Sequence, residues 1–334
     1  MNSIKISVIV PSYNQGPFIE NCIKSVLKQT YSNWELIIQD GASTDNTAEV
    51  CKHYAAQDNR IRFFSEKDSG FADAVNKGLD KAQGKFAVIQ SSDDFFAYSN
   101  VFEDVIEIYN TGKNLIIITG ASVVVDEKLN LLTTLERIPK FVSPENIYTL
   151  KDHFSQGATF FSLQRAKAIG KLNPIVDMVA DTDFWIRMAC SNPIGTNSIF
   201  QTSKIWGGVT VQQEQRSADL SKFYLGRAEM AYHHFQDKLI PFSLSYKKKH
   251  ANNLIIFGIE HYKALNKDVA PFLDLYKELN NTNFKFPKVT FNFKDLVIKI
   301  VSGSEINKAV NSKDEMYSSN KEHNPSYSFN WFNS

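Results

Sequence analysis

The chain has 334 residues, of which 43% are hydrophobic, so it can bury a large core. Its 37 lysines and arginines nearly balance 36 aspartates and glutamates, which leaves a net charge of +1. Nucleic-acid-binding proteins carry a broad positive surface, so we expect no nucleic-acid partner. The three cysteines lack metal-ligand spacing and predict neither a disulfide framework nor a zinc site, which favours a reducing compartment.

Short apolar segments rich in Ile and Val alternate with helical patterns through residue 125. Five of these segments have the composition of strands that are buried on both faces. They are residues 4–10, 34–39, 61–65, 86–90 and 115–119. Apolar residues at helical spacing fill most of the stretches between them. Strands joined by helices of this length predict an α/β fold, with a mostly parallel, Rossmann-like sheet flanked by helices.

The alternation of strands and helices loosens after residue 121. Residues 121–135 have the pattern of a two-stranded hairpin, and residues 155–163 have that of another strand. Residues 179–190 combine two acids with an apolar body that includes Trp185, which predicts a helix with a charged start. Long helical patterns dominate after residue 220.

Polar or acidic residues follow each of the first four predicted strands. In open parallel sheets, ligands bind in the crevice beyond the carboxyl ends of the strands. The four strand ends are PSYN (11–14), DGASTD (40–45), EKDSG (66–70) and SSDD (91–94). The adjacent carboxylates of Asp93 and Asp94 repel each other beside a hydrophobic sheet, so we expect a cation or a cation-bound ligand to compensate them.

Two long stretches resemble the nucleotide-binding half of the family 2 glycosyltransferases, the inverting enzymes with the GT-A fold. These stretches are VIVPSYNQGPFIENCIKSVLKQTYSNWELIIQDGASTDNT and DSGFADAVNKGLDKAQGKFAVIQSSDD. The resemblance covers residues 4–100 densely and continues thinly to about residue 190 through DTDFWIRMA. It implies transfer of a sugar from a nucleotide-sugar donor, with a UDP-sugar expected first, to a hydroxyl of a glycan or lipid-linked acceptor. Relatives of this kind most often build bacterial surface polysaccharide.

The resemblance also implies a division of the chain. We expect a GT-A domain over residues 1–220, with a nucleotide-binding half at 1–100 and an acceptor half at 101–220. Residues 221–303 are expected to form a helical C-terminal extension. Residues 304–334 are rich in Asn, Ser, Lys and Glu with few aliphatic residues, which predicts a flexible tail. The sequence does not predict the oligomeric state.

Several donor-site residues follow from the resemblance, position by position. Tyr13 matches the aromatic residue that lies against the nucleobase, with the backbone of Pro11 beside it; core packing of Tyr13 is the alternative. Asp40 matches the acid that hydrogen-bonds the base or the ribose. Lys67 and Asp68 border the crevice and are expected to touch the nucleotide or the sugar, and a solvated turn is nearly as well supported.

Asp93 matches the family carboxylate that coordinates a divalent cation on the donor diphosphate, and we expect Mg²⁺ or Mn²⁺ there. Asp94 is expected to hydrogen-bond the sugar or to support Asp93. Two departures from the family pattern predict weaker metal affinity. Position 91 is Ser91 where many relatives have an acid, and no histidine follows the acidic helix near residue 212. Gln212 or Gln213 offers an oxygen ligand in its place.

Asp181 matches the family's general base, which takes the proton of the acceptor hydroxyl during a single displacement. Asp183 lies in the same helical turn, and a site role and a structural role at the helix start are equally supported. Arg187 is four residues further on and is expected to pair with Asp183. Trp185 is expected to pack in the core.

Three further segments carry weaker expectations. Gly207 and Gly208, with the polar run to Ser217, predict either a loop that closes over the donor or a plain connection. The YKKKH segment at 246–250 and the short amphipathic stretch at 293–301 would contact a membrane surface if the acceptor were lipid-linked. A solvated helix face and a core strand are the favoured interpretations of these two segments.

Two other functions stay open beside the glycosyltransferase. A sugar-nucleotide pyrophosphorylase would need a glycine-rich, basic loop after the first strand, and PSYNQGPF has one glycine and no basic residue. A catalytically impaired nucleotide-sugar-binding or scaffold protein on the same fold is kept open by Ser91 and the missing histidine. The retained carboxylates Asp40, Asp93 and Asp181 argue against it.

The expected location follows from what the sequence lacks. A strand-like pattern begins at about residue 4, which predicts that no signal peptide precedes it. The strongest apolar run, residues 253–259, is far shorter than the about 20 residues that span a bilayer. We therefore expect a cytoplasmic protein, with the inner face of the membrane as a further position.

Overall fold

The computed structural model describes residues 4–112, 114–192, 196–212 and 220–280. The strands are β1 (Ile6–Ser12), β2 (Trp34–Asp40), β3 (Ile61–Ser65), β4 (Phe86–Ile89), β5 (Phe95–Phe96), β6 (Ile117–Val125), β7 (Leu131–Leu135), β8 (Lys140–Phe141), β9 (Thr159–Ser162) and β10 (Ile199–Thr210). The helices are α1 (Ile19–Leu27), α2 (Thr47–Gln57), α3 (Phe71–Lys81), α4 (Val101–Thr111), α5 (Pro144–Tyr148), α6 (Leu163–Ala168), α7 (Ala180–Cys190), α8 (Leu220–Gln236), α9 (Leu244–Ala264) and α10 (Ala270–Asn280). Two 3-10 helices, Gln156–Ala158 and Pro174–Val179, precede β9 and α7.

The strands form one sheet in the order β3-β2-β1-β4-β9-β6-β10-β5, with β7 paired to β6 and β8 paired to β10. The first four strands are parallel, as the sequence predicts. The predicted hairpin is confirmed in the antiparallel pair β6 and β7. β9 runs antiparallel between β4 and β6, so the sheet is mixed beyond β4.

The order of the parallel strands places a crevice at the ends of β1 and β4. After β1 the chain moves outward to β2 and β3, and then returns to the other side of β1 to form β4. The loops after β1 and β4 therefore leave the sheet in opposite directions. A sheet of this kind binds ligands at such a switch point. The predicted polar strand ends thus share one rim of the sheet.

The central strands β1, β2, β4 and β6 are buried on both faces, which explains their continuous apolar composition. Along β1, Val8 and Val10 pack into one hydrophobic cluster with residues of α1 and α4, while Ile9 packs into a second cluster on the opposite face. α3 lies directly on that second face at Gly78, where an added Cβ would come 2.5 Å from the Ile9 Cγ2 atom. Close helix packing there fixes the loop that precedes α3.

The three C-terminal helices pack on one another and on the main body of the protein. Tyr224, Ile255 and Phe272 belong to a cluster of their own. Met230 of α8 is buried instead in the large cluster beneath the sheet. Gly226 brings α8 close to the second 3-10 helix, because a Cβ there would lie 3.4 Å from a methyl group of Val179. The helical character predicted after residue 220 is confirmed, and the boundary at residue 220 stays a prediction.

Two expectations need correction. Gly207 and Gly208 lie inside β10, and an added Cβ at Gly208 would come 2.2 Å from the Phe95 ring. The close packing of β5 on β10 therefore explains these glycines, and the predicted loop starting at residue 207 is wrong. In the basic segment 246–250, the Lys247 ammonium is buried and donates to the carbonyl oxygen of Asp237 at 2.9 Å, which removes it from the surface patch.

Some predicted segments fall outside the described residues: Gln213, most of the polar run to Ser217, the stretch 293–301 and the tail 304–334. Within the described ranges, no helix combines the length and the apolar character that a membrane crossing requires.

Candidate active site

The loop after β1 is fastened to the loop after β2. The backbone N–H groups of Asn14 and Gln15 donate to the Ser43 Oγ and Thr47 Oγ1 atoms, each at 2.8 Å. The N–H of Gly16 donates to the Asp45 carboxylate at 2.9 Å. Successive backbone donors in one loop thus find side-chain acceptors in the other, and the two loops form one rigid edge of the crevice.

Tyr13 stands on this edge and is 59% exposed, so the alternative of core packing is excluded. Its ring lies next to Gly41, where an added Cβ would come 3.3 Å from the Tyr13 Cδ2 atom and 2.7 Å from a carboxylate oxygen of Asp68. Gly41 therefore forms the floor between an aromatic ring and a carboxylate. An exposed aromatic face beside a bare backbone suits a flat, polar ligand such as a nucleobase. Pro11, two residues earlier, forms the end of β1 beside Ser12.

Asp40 ends β2 and is completely buried. One carboxylate oxygen accepts hydrogen bonds from the Ser65 hydroxyl at 2.6 Å and from the Ser43 N–H at 3.1 Å, and the other accepts from the Ser43 hydroxyl. These three bonds join the ends of β2 and β3 to the loop after β2. Asp40 thus organises the floor of the crevice, and its predicted bond to a base or ribose stays a prediction.

The loop after β3 places Lys67 and Asp68 differently. Asp68 faces the crevice above Gly41, accepts from the Gly70 N–H at 3.0 Å, and has its pKa raised by partial burial. The side chain of Lys67 is exposed, and its carbonyl oxygen accepts from the Lys77 ammonium at 2.9 Å. The structure therefore brings Asp68 into the site and leaves Lys67 at its edge.

Asp177 connects this loop to the second half of the protein. Its carboxylate accepts from the N–H of Ala72 in the first turn of α3 at 2.8 Å, where it also faces the helix dipole. The Asp177 carboxylate fits against Gly70 because this residue has no side chain: an added Cβ would lie 3.1 Å from the Asp177 oxygen. The φ of Gly70 is 129°, which also favours glycine. Asp177 lies 105 residues from Ala72, and no local pattern in the sequence marks this contact.

Asp93 and Asp94 lie in the turn after β4. Asp94 is buried and accepts from the N–H of Thr210, the last residue of β10, at 2.9 Å. Asp93 is half-buried, and its carboxylate accepts from the Gln212 side-chain amide. Burial raises the pKa of both carboxyl groups, and the charge of Asp93 raises the pKa of Asp94 further. Neutral donors therefore offset the charge of this pair only in part.

Gln212 joins the two sides of the crevice. Besides Asp93, its amide nitrogen lies 3.4 Å from the Oε1 atom of Gln15 in the loop after β1. On the other side of the same turn, the Gln156 amide donates to the Ser91 hydroxyl at 3.2 Å. Gln212 thus lies next to Asp93 through its amide nitrogen, and its predicted role as an oxygen ligand stays a prediction.

The residues around Asp93 are compatible with one divalent cation. No group of three or more His, Cys, Asp or Glu side chains with the geometry of a metal site exists in the ranges that the structure describes. Mg²⁺ commonly binds one or two carboxylates and takes its other ligands from phosphate oxygens and water. Two adjacent carboxyl groups with raised pKa values would be stabilised by such an ion. A cation held jointly by Asp93 and a diphosphate therefore fits this turn.

The two acids at the start of α7, Asp181 and Asp183, have different environments. Asp181 is partly exposed, and its carboxylate accepts from the Thr182 N–H at 2.7 Å. Asp183 is buried and binds Arg187 at 2.6 Å and the Nε2 atom of His234 at 2.8 Å. Burial alone would raise the pKa of Asp183, but the bond from His234 and the charge of Arg187 outweigh it and hold that pKa below its usual range.

The expected pair of Asp183 with Arg187 is confirmed, as is the core position of Trp185. Asp183 therefore has a structural role, because its bond to His234 connects α7 to α8. Asp181 is partly exposed at the start of the same helix, and its role in the site stays a prediction. The contact of Asp177 with the start of α3 lies four residues before Asp181, which places the start of α7 next to the loop that carries Asp68.

Comparison with known proteins gives a consistent result. Residues 7–172 match the model of the family described as glycosyl transferase family 2. Over 90 residues, the chain is 46% identical to the glycosyltransferase GlyG of Streptococcus pneumoniae serotype 4, and the match covers 27% of this chain and 30% of GlyG. Over another 90-residue match, the chain is 44% identical to the putative teichuronic acid biosynthesis glycosyltransferase TuaG of Bacillus subtilis. This match covers 27% of this chain and 36% of TuaG. The chain thus spans about a third of the length of these curated relatives.

Solved structures extend the likeness to most of the chain. TarS of S. aureus (residues 1–349) in complex with UDP-GlcNAc superposes with a TM-score of 0.59 at 18% identity, covering 83% of this chain and 80% of TarS. The mannosyltransferase PcManGT of Pyrobaculum calidifontis, in complex with GDP-Man and Mn²⁺, gives a TM-score of 0.56 at 15% identity, with 85% and 89% covered. At these identities the likeness shows the shared GT-A fold.

Proposed function

Because the chain belongs to glycosyl transferase family 2, through residues 7–172, we propose that it moves a sugar from a nucleotide-sugar donor to a hydroxyl group of an acceptor, with inversion at the anomeric carbon. The observation that carries this proposal is the set of contacts around the crevice. Gln15 and Gln212 join the loop after β1 to Asp93, and Asp177 joins the loop of Asp68 to the helix that begins beside Asp181.

The donor nucleotide would lie along the edge formed by Tyr13, Gly41 and Asp68. The Tyr13 ring offers a stacking surface, and bare backbone at Gly41 allows close approach of the base or ribose. Asp40 holds this floor from beneath. The diphosphate would extend toward Asp93, where a bound Mg²⁺ or Mn²⁺ would neutralise its negative charge as the nucleotide leaves.

Asp181 would serve as the general base. The acceptor hydroxyl oxygen forms a bond to the anomeric carbon while the bond from that carbon to the diphosphate oxygen breaks. The hydroxyl proton passes to the Asp181 carboxylate, and the electron pair of the broken bond leaves with the nucleotide diphosphate. Because the attack comes from the face opposite the leaving group, the product has the opposite anomeric configuration.

A UDP-sugar is our first proposal for the donor, and a glycan or lipid-linked acceptor in surface polysaccharide synthesis is our proposal for the acceptor. The donor proposal is supported by TarS, which was solved with UDP-GlcNAc, although PcManGT was solved with GDP-Man. The acceptor proposal is supported by the name of TuaG. We place the reaction in the cytoplasm, in keeping with three cysteines that are all buried and free.

The deciding experiment has two stages. Thermal shift with UDP-, GDP- and dTDP-sugars, each with and without Mn²⁺, identifies the donor, because a ligand that binds only the folded state raises the melting temperature. NMR of the product formed from that donor then reports the anomeric configuration. Retention of configuration would exclude a single displacement. Full turnover in the presence of a chelator would exclude the proposed cation at Asp93.

The main alternative is a protein on the same fold that binds a nucleotide-sugar without transferring it. It is favoured by Ser91 in place of an acid and by the amide of Gln212 on Asp93. This alternative predicts donor binding in the thermal-shift experiment with neither transfer nor release of free nucleotide. Release of nucleotide that depends on Asp181 would exclude it.

A further inference from the structure

Beside Asp181 the structure holds a group of basic side chains that the donor chemistry does not use. The group, here called the basic pocket, consists of Arg137, His153 and Arg227. Three of its nitrogens, Arg137 Nε, His153 Nε2 and Arg227 Nε, are buried and have no hydrogen-bond partner within the described residues. Buried polar groups are nearly always hydrogen-bonded, so unpaired ones in a native structure call for a ligand or water.

Arg227 reaches this place from α8. Its neighbour Gly226 packs against Met178 and Val179, which precede Asp181 by two to three residues. The guanidinium of Arg227 lies over the Phe223 ring, with its carbon 4.2 Å from the ring centre, and is close enough to Asp181 and His153 for their charges to interact. Phe223 thus holds the guanidinium near the start of α7.

Arg137 and His153 approach from the opposite side. The Nη2 atom of Arg137 donates to the His153 carbonyl oxygen at 3.3 Å. Next along the chain, the ring centre of Phe154 lies 5.7 Å from that of Trp185 in α7. Gln156 then contacts Ser91 in the turn after β4. Since three residues span at most about 10 Å, the basic pocket lies close to the donor turn but apart from it.

The positive charge of the basic pocket is offset only in part by carboxylates: the charge of Asp181 acts on Arg227, and that of Asp152 acts on Arg137 and His153. In the part of the chain that the structure describes, neither arginine forms an ion pair, and Asp152, the nearest acid to His153 in sequence, binds Lys140 at 2.7 Å and the Asn146 amide at 2.8 Å. Burial and the charges of both arginines lower the pKa of His153 to about 4, and burial lowers the pKa of Arg227 to about 10. Burial is the largest cause of both shifts, because it disfavours the charged form of each group.

We propose that the basic pocket binds an anionic group of the acceptor, a phosphate or a carboxylate, and so holds the attacking hydroxyl at Asp181. This inference rests on the proposed function, since the acceptor hydroxyl must lie against Asp181 for its proton to be taken. A planar guanidinium binds two oxygens of a carboxylate or phosphate at once, and such charge-assisted bonds are stronger than those between neutral groups. The pocket thus selects a charged acceptor over a neutral one.

The test measures binding of small anions to the full chain by calorimetry, without divalent ions and at constant ionic strength. The probes are inorganic phosphate, glucuronate and neutral glucose. We expect at least one anion to bind about tenfold or more tightly than glucose. Tighter phosphate binding indicates an acceptor with a phosphodiester, and tighter glucuronate binding indicates a uronic acid; both outcomes support the proposal. Equal binding of all three probes, or of none, overturns it.

Variants locate the bound anion. Arg137→Met, in the loop between β7 and β8, and Arg227→Met are each expected to weaken anion binding about tenfold. Arg165→Met is the matched control, because Arg165 is also half-buried, donates only to the Ser191 carbonyl oxygen at 3.4 Å, and lies at the other end of β9. Unchanged binding in a folded Arg137→Met protein overturns the proposal, even if Arg227→Met fails to fold.

A second measurement follows the ring of His153 directly. Addition of the anion is expected to shift the imidazole NMR signals of His153 in the wild type, and not in Arg137→Met. Donor binding by thermal shift is recorded on the same samples. If donor binding and nucleotide release persist while the anion fails to bind, only this inference falls. Loss of donor binding and nucleotide release together with anion binding would contradict the proposed function as well.

Discussion

The two sides of the crevice are built differently. On the proposed donor side, Asp40 holds the loops from beneath through the Ser43 and Ser65 hydroxyls. On the proposed acceptor side, two acids in one helical turn have different environments. Asp183 is buried in an ion pair, while Asp181 is partly exposed. We expect substitutions on the acceptor side to separate activity from stability, and substitutions on the donor side to change both.

The largest expected effect is at Asp181. Replacing it with Asn removes the proton acceptor and leaves the shape of the side chain, so the rate of transfer should fall about 10³-fold. Donor affinity should stay within a few-fold of wild type, because Asn keeps the size and the hydrogen-bonding capacity of the side chain. Steady-state kinetics and a donor titration measure the two quantities. If affinity and melting temperature fell together with the rate, Asp181 would be a structural residue.

Asp183→Asn is expected to have the opposite profile. It leaves Arg187 and His234 buried against a neutral amide, and breaking a buried pair from one side destabilises a protein by about 3 kcal/mol. The free energy of unfolding from urea titration measures this loss. Asp274→Asn is the control, because the pair of Asp274 with Lys277 is exposed and should contribute less than about 0.5 kcal/mol. Equal effects at the two sites would contradict the division of roles in α7.

Asp40→Ala should lower stability and donor affinity together. It leaves the Ser43 N–H and the Ser65 hydroxyl without their acceptor at a partly buried site, which should cost about 2 kcal/mol of unfolding free energy. The loosened floor should also weaken donor binding several-fold. Ser65→Ala removes one of these bonds and should cost about half as much. An Asp40→Ala protein with wild-type stability would show that the floor does not depend on this carboxylate.

Tyr13 is an exception on the donor side, because its ring is exposed and supports no loop. Tyr13→Ala should weaken nucleotide binding about tenfold, which corresponds to about 1.4 kcal/mol of lost stacking. Tyr13→Phe keeps the ring and should bind within about twofold of wild type. Both melting temperatures should match the wild type. A similar loss of affinity in Tyr13→Phe would assign the contact to the hydroxyl group instead of the ring.

The smallest expected effect is a change in pH dependence at Asp94. Its pKa is raised in the folded state, so this group favours folding below its unfolded pKa, and that contribution is lost as the pH rises through the folded pKa. Asp94→Asn keeps an acceptor for the Thr210 N–H and removes the charge. It should therefore be more stable than wild type by about 1 kcal/mol at pH 8 and equal to it near pH 4.

Asp45 provides a control of opposite sign for this pH experiment. Despite partial desolvation, its pKa is lowered by hydrogen bonds from Thr47 and from the Gly16 N–H, so its contribution to folding is present at neutral pH and is lost on acidification. Asp45→Asn should be less stable than wild type at pH 8. Thermal melts of both variants from pH 4 to pH 8 would contradict this account if the two curves shifted in the same direction.

Much of the donor half could be predicted from the sequence, because its signals are local. Buried parallel strands are short apolar runs, and the polar residues after β1, β2, β3 and β4 must share one edge of the sheet. The acidic start of α7 and the pair of Asp183 with Arg187 also follow from spacing within a single helix.

The remaining features depend on contacts between distant parts of the chain. Asp93 and Gln212 lie 119 residues apart, and Asp183 and His234 lie 51 apart. No local pattern marks the contact of Asp183 with His234, and a place for Gln212 near Asp93 follows only from the family resemblance. The composition around Gly207 and Gly208 predicts a loop, whereas tight packing against Phe95 is what requires a glycine at 208. Arg227 has the pattern of an ordinary helix surface residue, and only the docking of α8 at Gly226 directs it toward Asp181.

The seating of Gly226 on Val179 also limits how the chain can be shortened. Removing everything from α8 onward would expose the side of the sheet that Met230 now covers. It would also remove the imidazole of His234, which binds Asp183. The remaining fragment would expose an apolar surface and leave Asp183 with Arg187 as its ion-pair partner. The last helices therefore stabilise the region around α7, and a fragment that ends before α8 would be prone to aggregate.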